Sequence, residues 1–534
     1  MCSSAILLTF LRTLLFLPPL LFAPLSASAQ DPGRIGSRIL SLDSWTYEAI
    51  ERLRSRAYLP GLNPLAQPYR RIDVATELVD VDADTLPDPT AGWVRLLIRE
   101  LAPELGRLSE SEDEAADQRV GLQSILGATG ADSRRRDPLI PYRTSENEGL
   151  KQRAWWSWAG GIWLETNNVA AETRLFRDSW FKDDRGDPDG RNPKGVKLFG
   201  RTDKAYLTLA YPWGNIWVGR FKRNWGPIGQ RGVMIGDNPT PYPQIGLDLG
   251  RGNLTFRFMA GELESVNGLP RYIVANRLDY RRGNFWVSVG ESALYAGESS
   301  VLRFFNPLEF IFFDRNSTLD ERRILSNVML NVMFWTRVGQ GTLYGEFALD
   351  DFDLNPRVGK EDRSAFPTQY HLSLGGRYQG VSDRLEFGFD YRRVSAWSYR
   401  PTNDDPSDIW MHWDRGLGDP WSDYDRLTLR ADLYPSVGGL RISPVLQFQR
   451  KGEGDYRLPF QLRRDLPGLF LGVKETTKRV ALQGRYQPRS EVFLKWDLGR
   501  SFISNAGHVD GSSEGRFSFS LSFGLTLERG LGAL

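Results

Sequence analysis

The stretch "GRFSFSLSFGLTLERG" (515–530) lies close to the C-terminus. From Phe517 to Leu527 every odd position is Phe or Leu, and every even one is Ser, Gly or Thr. A period of two describes an extended strand with one apolar face and one face of small polar groups. A soluble sheet would cover that apolar face with a second layer, whereas a membrane barrel would turn it toward lipid. The remainder of the chain decides between them.

The 534 residues carry a formal net charge of +2, with 25% charged side chains, so no bias of charge points to nucleic acid. Aromatic residues make up 12%, with 17 Trp and 53 Gly, a composition suited to sheets with aromatic belts and tight turns. The first residues, "MCSSAILLTFLRTLLFLPPLLFAPLSASAQ" (1–30), place Arg12 near the start of an apolar run that closes on Ala27-Ser28-Ala29. That pattern predicts a signal peptide over 1–29 and a mature chain from Gln30. The single cysteine, Cys2, falls inside it, so neither a disulfide nor thiol chemistry is expected after export. No later apolar run reaches the roughly 18 residues of a membrane helix.

Between about 41 and 110 the period is helical. "SLDSWTYEAIERLRSRAYLPG" (41–61) opens on capping residues, sets Trp45, Ile50 and Leu53 on one stripe, and stops at Pro60-Gly61. "GWVRLLIRELAPELGRL" (92–108) repeats the pattern, with Pro103 kinking or splitting it. These features predict a helical module and acidic linker over 30–118, followed by a barrel over 119–534.

After Val120 the period becomes two. In "DRLEFGFDYRR" (383–393), Leu385, Phe387, Phe389 and Tyr391 alternate with Arg384, Glu386, Gly388, Asp390 and Arg392. In "GTLYGEFALDDF" (341–352), Leu343, Phe347 and Leu349 oppose Tyr344, Glu346 and Asp350. Roughly 18 such strands are joined by eight short turns and nine longer loops, notably 224–244, 294–325, 352–366, 398–424 and 452–469. An even strand number with short turns at one end and long loops at the other predicts an all-β transmembrane barrel of about 18 antiparallel strands, with a small N-terminal α-helical module in the periplasm. A propeller would show a blade-length repeat, and the chain has none. The final "RGLGAL" (529–534) departs from the aromatic ending usual for bacterial barrels.

The polar face carries mixed signs, among them Arg257, Glu346, Glu386, Asp390, Arg430, Asp432, Arg441, Arg479 and Asp497. An ion-selective pore uses rings of one sign; interleaved signs predict salt-bridge ladders bracing the wall. The loop 398–424 holds Tyr399, Trp410 and Trp413 among Asp405 and Asp408. Sugars stack their C–H faces on aromatic rings while carboxylates take their hydroxyls, so these five residues are the glycan-binding candidates. Trp397 and Trp421, nearest the strand ends, read as an aromatic girdle or as loop packing. The histidines, His371, His412 and His508, lack metal-ligand spacing, so no metal, cofactor or catalytic activity is expected.

Three segments in order, "GRFKRNWGPIGQRG" (219–232), "SALYAGESSVLRFFNPLEF" (292–310) and "LYGEFALDDF" (343–352), together with the overall layout, resemble the Wzi-type capsule assembly family of Gram-negative outer membranes. The resemblance implies an 18-stranded barrel with a periplasmic helical bundle. It also implies a non-catalytic, lectin-like role: holding capsular or extracellular polysaccharide at the cell surface, with outer-membrane lipid and the glycan as partners, no nucleic acid, and a monomeric state. The rival reading is a porin-like channel for sugars or other small solutes. The "RFFNPLEFIFF" run (303–313) is apolar enough to fold inward over the mouth, which favours binding.

Overall fold

The computed structural model describes residues 35–109, 118–131, 154–179, 200–297, 306–307, 325–350, 368–401, 405–459 and 469–533. The signal peptide expected over 1–29 and most of the 294–325 loop, including the expected inward fold of its apolar run, lie outside them.

Four helices come first: α1 (Thr46–Ser55), α2 (Arg71–Leu78), α3 (Thr90–Glu100) and α4 (Ala102–Ser109). Trp45, Ile50 and Leu53 are buried together with Trp93 and Leu97, so the stripe legible in the sequence is the face that packs. The break between α3 and α4 falls at Leu101, and Pro103 then sits in the first turn of α4, where its missing N–H removes no helical bond.

The barrel begins with β1 (Arg119–Ala131), β2 (Ala154–Glu165), β3 (Val169–Asp178), β4 (Gly200–Tyr211), β5 (Gly214–Arg220) and β6 (Pro243–Arg251). It continues through β7 (Leu254–Val266), β8 (Leu269–Arg282), β9 (Phe285–Ala296), β10 (Leu325–Val338), β11 (Gly341–Leu349), β12 (Tyr370–Ser382) and β13 (Leu385–Val394). A small hairpin, β14 (Met411–His412) and β15 (Arg415–Gly416), interrupts the next connection. The wall then resumes with β16 (Tyr424–Leu433), β17 (Leu440–Lys451), β18 (Glu475–Arg489), β19 (Val492–Ser504) and β20 (Ser513–Ala533). The wall has 18 strands, each antiparallel to its neighbours, and it closes because β1 pairs with both β2 and β20. The terminal "RGLGAL", apart from Leu534, belongs to that closing strand.

Turns at one end are short, such as Gly252-Asn253 and Gly283-Asn284; at the other end lie long connections such as 221–242, 395–423 and 452–474. One of the nine expected long loops is instead a tight turn. Asn267 and Gly268 alone join β7 to β8, both at positive φ (53° and 80°), the conformation an Asn-Gly hairpin favours.

Outward-facing side chains form an apolar belt: Leu126, Trp156, Ile162, Phe347, Phe387, Leu446, Val480, Phe517, Leu521, Phe523 and Leu527 are all exposed. A belt this continuous is incompatible with water and matches the lipid-facing band of a membrane barrel. The opening question is thereby answered: the apolar face of the last strand looks outward.

The lumen is occupied at two levels. At the short-turn end the helices dock through their own core, which takes in Tyr434 and Ile228 from barrel connections. Polar contacts then tie them to the wall. Glu51 meets Arg377 at 3.0 Å, Glu48 meets Arg441 at 3.2 Å and Arg485 at 3.1 Å, and Arg52 meets Glu386 at 2.6 Å. Arg38, ahead of α1, joins Glu165 (3.2 Å) and Glu528 (2.7 Å), pinning the segment to β2 and β20. The mixed-sign inner face thus does pair along the wall, as Arg257 does with Asp248 (2.8 Å) and Asp279 (2.9 Å), but several of its arginines are spoken for by helix α1. Burial pushes the Glu51 carboxyl above its ordinary range, against the pull of Arg377 and Arg430. Such a pair fixes where the helix docks more than it adds net stability. Nearer the long-loop end a second core joins Trp225, Met234, Ile235, Tyr399, Trp410, Leu417 and Trp421 from the loops to Met259, Ile273 and Met329 on the wall.

Candidate functional site

The connection from β13 to β16 carries all five candidate residues, and the structure divides them. Tyr399, Trp410 and Asp408 are fully buried, so the expectation that they face a glycan at the mouth is corrected. The Trp410 indole donates from Nε1 to the Met234 carbonyl at 2.9 Å, and its backbone N–H donates to the Tyr399 carbonyl at 2.9 Å. It rivets the 395–423 connection to the 221–242 connection. The Tyr399 hydroxyl donates to the Val233 carbonyl and accepts from the Asp419 N–H at 2.8 Å, while its ring packs 4.4 Å from His371. A Cβ at Gly418 would lie 1.9 Å from the Val233 carbonyl oxygen, so glycine is what lets the two loops approach this closely.

The physical reason is reach. A Trp ring buries of order 150–250 Å², worth roughly 4–6 kcal/mol at about 25 cal/mol/Å². A connection long enough to fold back over a wide barrel gains more from packing its rings inward than from leaving them in water. Trp397 and Trp421 follow the same rule, packing beside Leu471 and Tyr424 respectively.

Two wall residues that sequence reading passed over hold the connection. Arg271 on β8, itself fully buried, donates from Nε to the Ser407 carbonyl at 2.5 Å and from Nη2 to the Met411 and Ile409 carbonyls. Its Nη1 lies 3.2 Å from Glu264. Glu264, near the end of β7, accepts from the Trp413 N–H at 2.8 Å and meets His412 Nδ1 at 2.6 Å. Burial holds the His412 imidazole below its ordinary value, against the pull of Glu264. Alternation of β8 could have signalled Arg271 but not which groups would meet a loop; Glu264 follows Leu263, the partner of Arg271, and comes to the same side only at the register irregularity between Leu263 and Val266.

Trp413 and Asp405 stay partly exposed. Asp405 accepts from the Ser407 N–H at 2.8 Å and so caps the short 3₁₀ turn Pro406–Asp408. Trp413 and Asp414 form the two-residue turn between β14 and β15, at φ 47° and 68°. Left-handed backbone costs a non-glycine residue of order 1–3 kcal/mol, and an Asn-Gly pair would normally occupy such a turn. The strain is held from both sides: by Glu264 at the Trp413 N–H, and by Arg457, which donates to the Asp414 carbonyl at 3.0 Å and 3.2 Å. The Arg457 guanidinium also pairs with Asp455 at 3.0 Å. The result is an aromatic ring held at a hairpin tip, edge-on to His412 at 6.0 Å, with carboxylates and a guanidinium beside it.

No protein-family model matches the chain, and no curated protein matches it. Among solved structures, the chain is similar to Wzi, an Escherichia coli outer-membrane protein involved in group 1 capsule assembly and described as a carbohydrate-binding β-barrel. The identity is 12%, the TM-score 0.60, and the match covers 91% of this chain and 99% of that one. Two further similar structures are OccK11 (OpdR) of Pseudomonas aeruginosa (12% identity, TM-score 0.40, 77% of this chain and 96% of that one) and OccAB4 of Acinetobacter baumannii (10%, 0.43, 77% and 98%). The chain shares with Wzi its barrel fold, as the sequence resemblance implied.

Proposed function

We propose that this 18-stranded barrel sits in the outer membrane, long loops outward and helices toward the periplasm, and holds capsular or extracellular polysaccharide at the cell surface without catalysis. The observation that carries the reading is the Trp413-Asp414 turn. Backbone strain persists where surrounding groups over-determine it, and such sites cluster at ligand contacts. Here the strained turn holds a partly exposed indole next to Asp414, and Arg457 ties that turn to Asp455, a set that suits C–H stacking and hydroxyl recognition. Asp405 lies on the same partly exposed connection and remains a secondary candidate. The fold shared with a carbohydrate-binding barrel points the same way.

Replacing Trp413 with Ala is expected to weaken polysaccharide retention about twofold to tenfold, the equivalent of about 0.5–1.5 kcal/mol for a stacked ring. Cell-bound against shed polysaccharide measures it, with heat-modifiable gel mobility as the folding control. Unchanged retention by a folded variant would remove Trp413 from the site.

The channel alternative makes a different demand, because a porin must conduct. Two packed levels inside the wall support a sealed lumen. Purified protein in planar bilayers should therefore give no large, stable open steps. Regular steps of porin size would decide for the channel.

A further inference from the structure

We propose that the outer wall near the long-loop end, across β13 and β16–β19, binds the phosphate groups of a phosphorylated outer-leaflet lipid. The proposal rests on the barrel spanning a membrane and is independent of the glycan reading.

The register places the groups. On the outward face Arg393 stands opposite Asp425, and Asp425 opposite Arg450. One pair lower, Phe448 stands opposite Lys478 and Lys478 opposite Phe502. Lower again, Val480 faces Arg500, which in turn faces Phe517. Arg450, Lys478 and Arg500 are thus diagonal neighbours on adjacent strands, about 7–8 Å apart in such ladders. Because strands of a barrel tilt, a diagonal of this kind stays near one level of the wall.

The cations are set among aromatic and aliphatic lipid-facing side chains, with Val480, Phe502 and Phe517 exposed beside them. Two are fixed: the Arg393 and Arg450 guanidiniums stack on Phe470 at 4.4 Å and 5.2 Å, and Arg450 donates from Nε to Asp425 at 3.0 Å. Arg393 is buried and donates to the Leu469 carbonyl. Lys478 and Arg500 are exposed, and neither forms an ion pair among the described residues. Four cations therefore stand against one carboxylate, Asp425, on a surface whose neighbours are apolar.

Cations on the lipid face cost little only near the interface, and their cost rises with depth. A band of them at the rim of the apolar belt faces the headgroup level, where an anionic partner is available to attract them. Charge-assisted bonds to phosphate oxygens suit both guanidinium and ammonium groups. Long loops lie outside in such barrels, so the leaflet concerned is the outer one.

The test uses full-length mature protein in detergent micelles, with bisphosphorylated lipid A and the same lipid dephosphorylated as probes, scored by native mass spectrometry. Wild type should retain the phosphorylated lipid at least tenfold better than the dephosphorylated one, with the preference fading as salt rises. The Lys478→Gln, Arg500→Gln double variant should lose the preference, while Lys478→Arg, Arg500→Lys should keep it. Heat-modifiable mobility reports folding of each. Equal retention of both lipids by wild type, or an undiminished preference in the glutamine variant, would overturn the proposal. So would a variant defect seen only with an anionic polysaccharide fragment, which would make the patch a glycan surface.

Discussion

Replacing Trp410 with Ala should loosen the barrel mouth by about 3–5 kcal/mol, the range for deleting a buried Trp ring. The side chain lies at the centre of the upper core, and no part of it reaches solvent. Its loss opens a cavity among Met234, Tyr399 and Leu417, and leaves the Met234 carbonyl without its indole donor. The wall is held by strand pairing that does not involve this ring, so the barrel itself should persist. The effect is local opening of the two connections it rivets, 221–242 and 395–423. Limited proteolysis should cut there much faster in the variant, while heat-modifiable mobility stays as in wild type. The contrast with Trp413→Ala is the informative part, since that ring is only partly buried and its removal should cost far less protease resistance. A Trp410 variant as resistant as wild type would mean that the remaining ties, among them Arg271, Glu264 and the Tyr399 hydroxyl, dock the loops without this ring.

Reversing two charges on α1 should unseat the helices. Glu48 and Glu51 meet four arginines of the wall: Arg441 and Arg485 for the first, Arg377 (3.0 Å) and Arg430 (3.9 Å) for the second. Arg377 and Arg485 are almost completely buried, and although Arg377 keeps Asp432 at 3.8 Å, removing the glutamates leaves positive charge that water cannot reach. Breaking a buried pair from one side typically costs about 3–5 kcal/mol, and a lysine in place of glutamate adds repulsion to the loss. The Glu48→Lys, Glu51→Lys variant should therefore pass current in planar bilayers where wild type does not, with the barrel still heat-modifiable. Arg38, Arg52 and the shared apolar core remain as ties, so partial and fluctuating conductance is the expected form. A folded variant that stays silent would show that apolar docking of the helices or the upper loop layer keeps the lumen closed without these ion pairs.

The wall was legible because its cause is local. Alternation of Phe517, Phe519, Leu521 and Phe523 with serines and glycine is a property of a few consecutive residues, and a strand obeys it whatever its neighbours do. The same holds for the stripe of Trp45, Ile50 and Leu53, and for the break ahead of Pro103. The Asn267-Gly268 turn is local too, an Asn-Gly pair whose left-handed preference makes a tight turn where the parity of the connections predicts a long loop.

The site was not legible in the same way. Trp410 and Trp413 stand three residues apart in one loop and look alike in sequence, yet one is the centre of a core and the other lies on a strained turn. What separates them is contact with residues far along the chain: Met234 for Trp410, Glu264 for Trp413. Likewise alternation sets Arg430 and Arg441 on the polar inner face, but does not say that Glu48 and Glu51, on a helix more than 300 residues earlier, would meet them. Period and turn chemistry act between neighbours in the chain and determine a barrel with helices ahead of it. Which aromatic ring is buried, which carboxylate meets which arginine and whether the lumen is filled depend on distances that exist only once the barrel has closed, and those the tertiary structure decided.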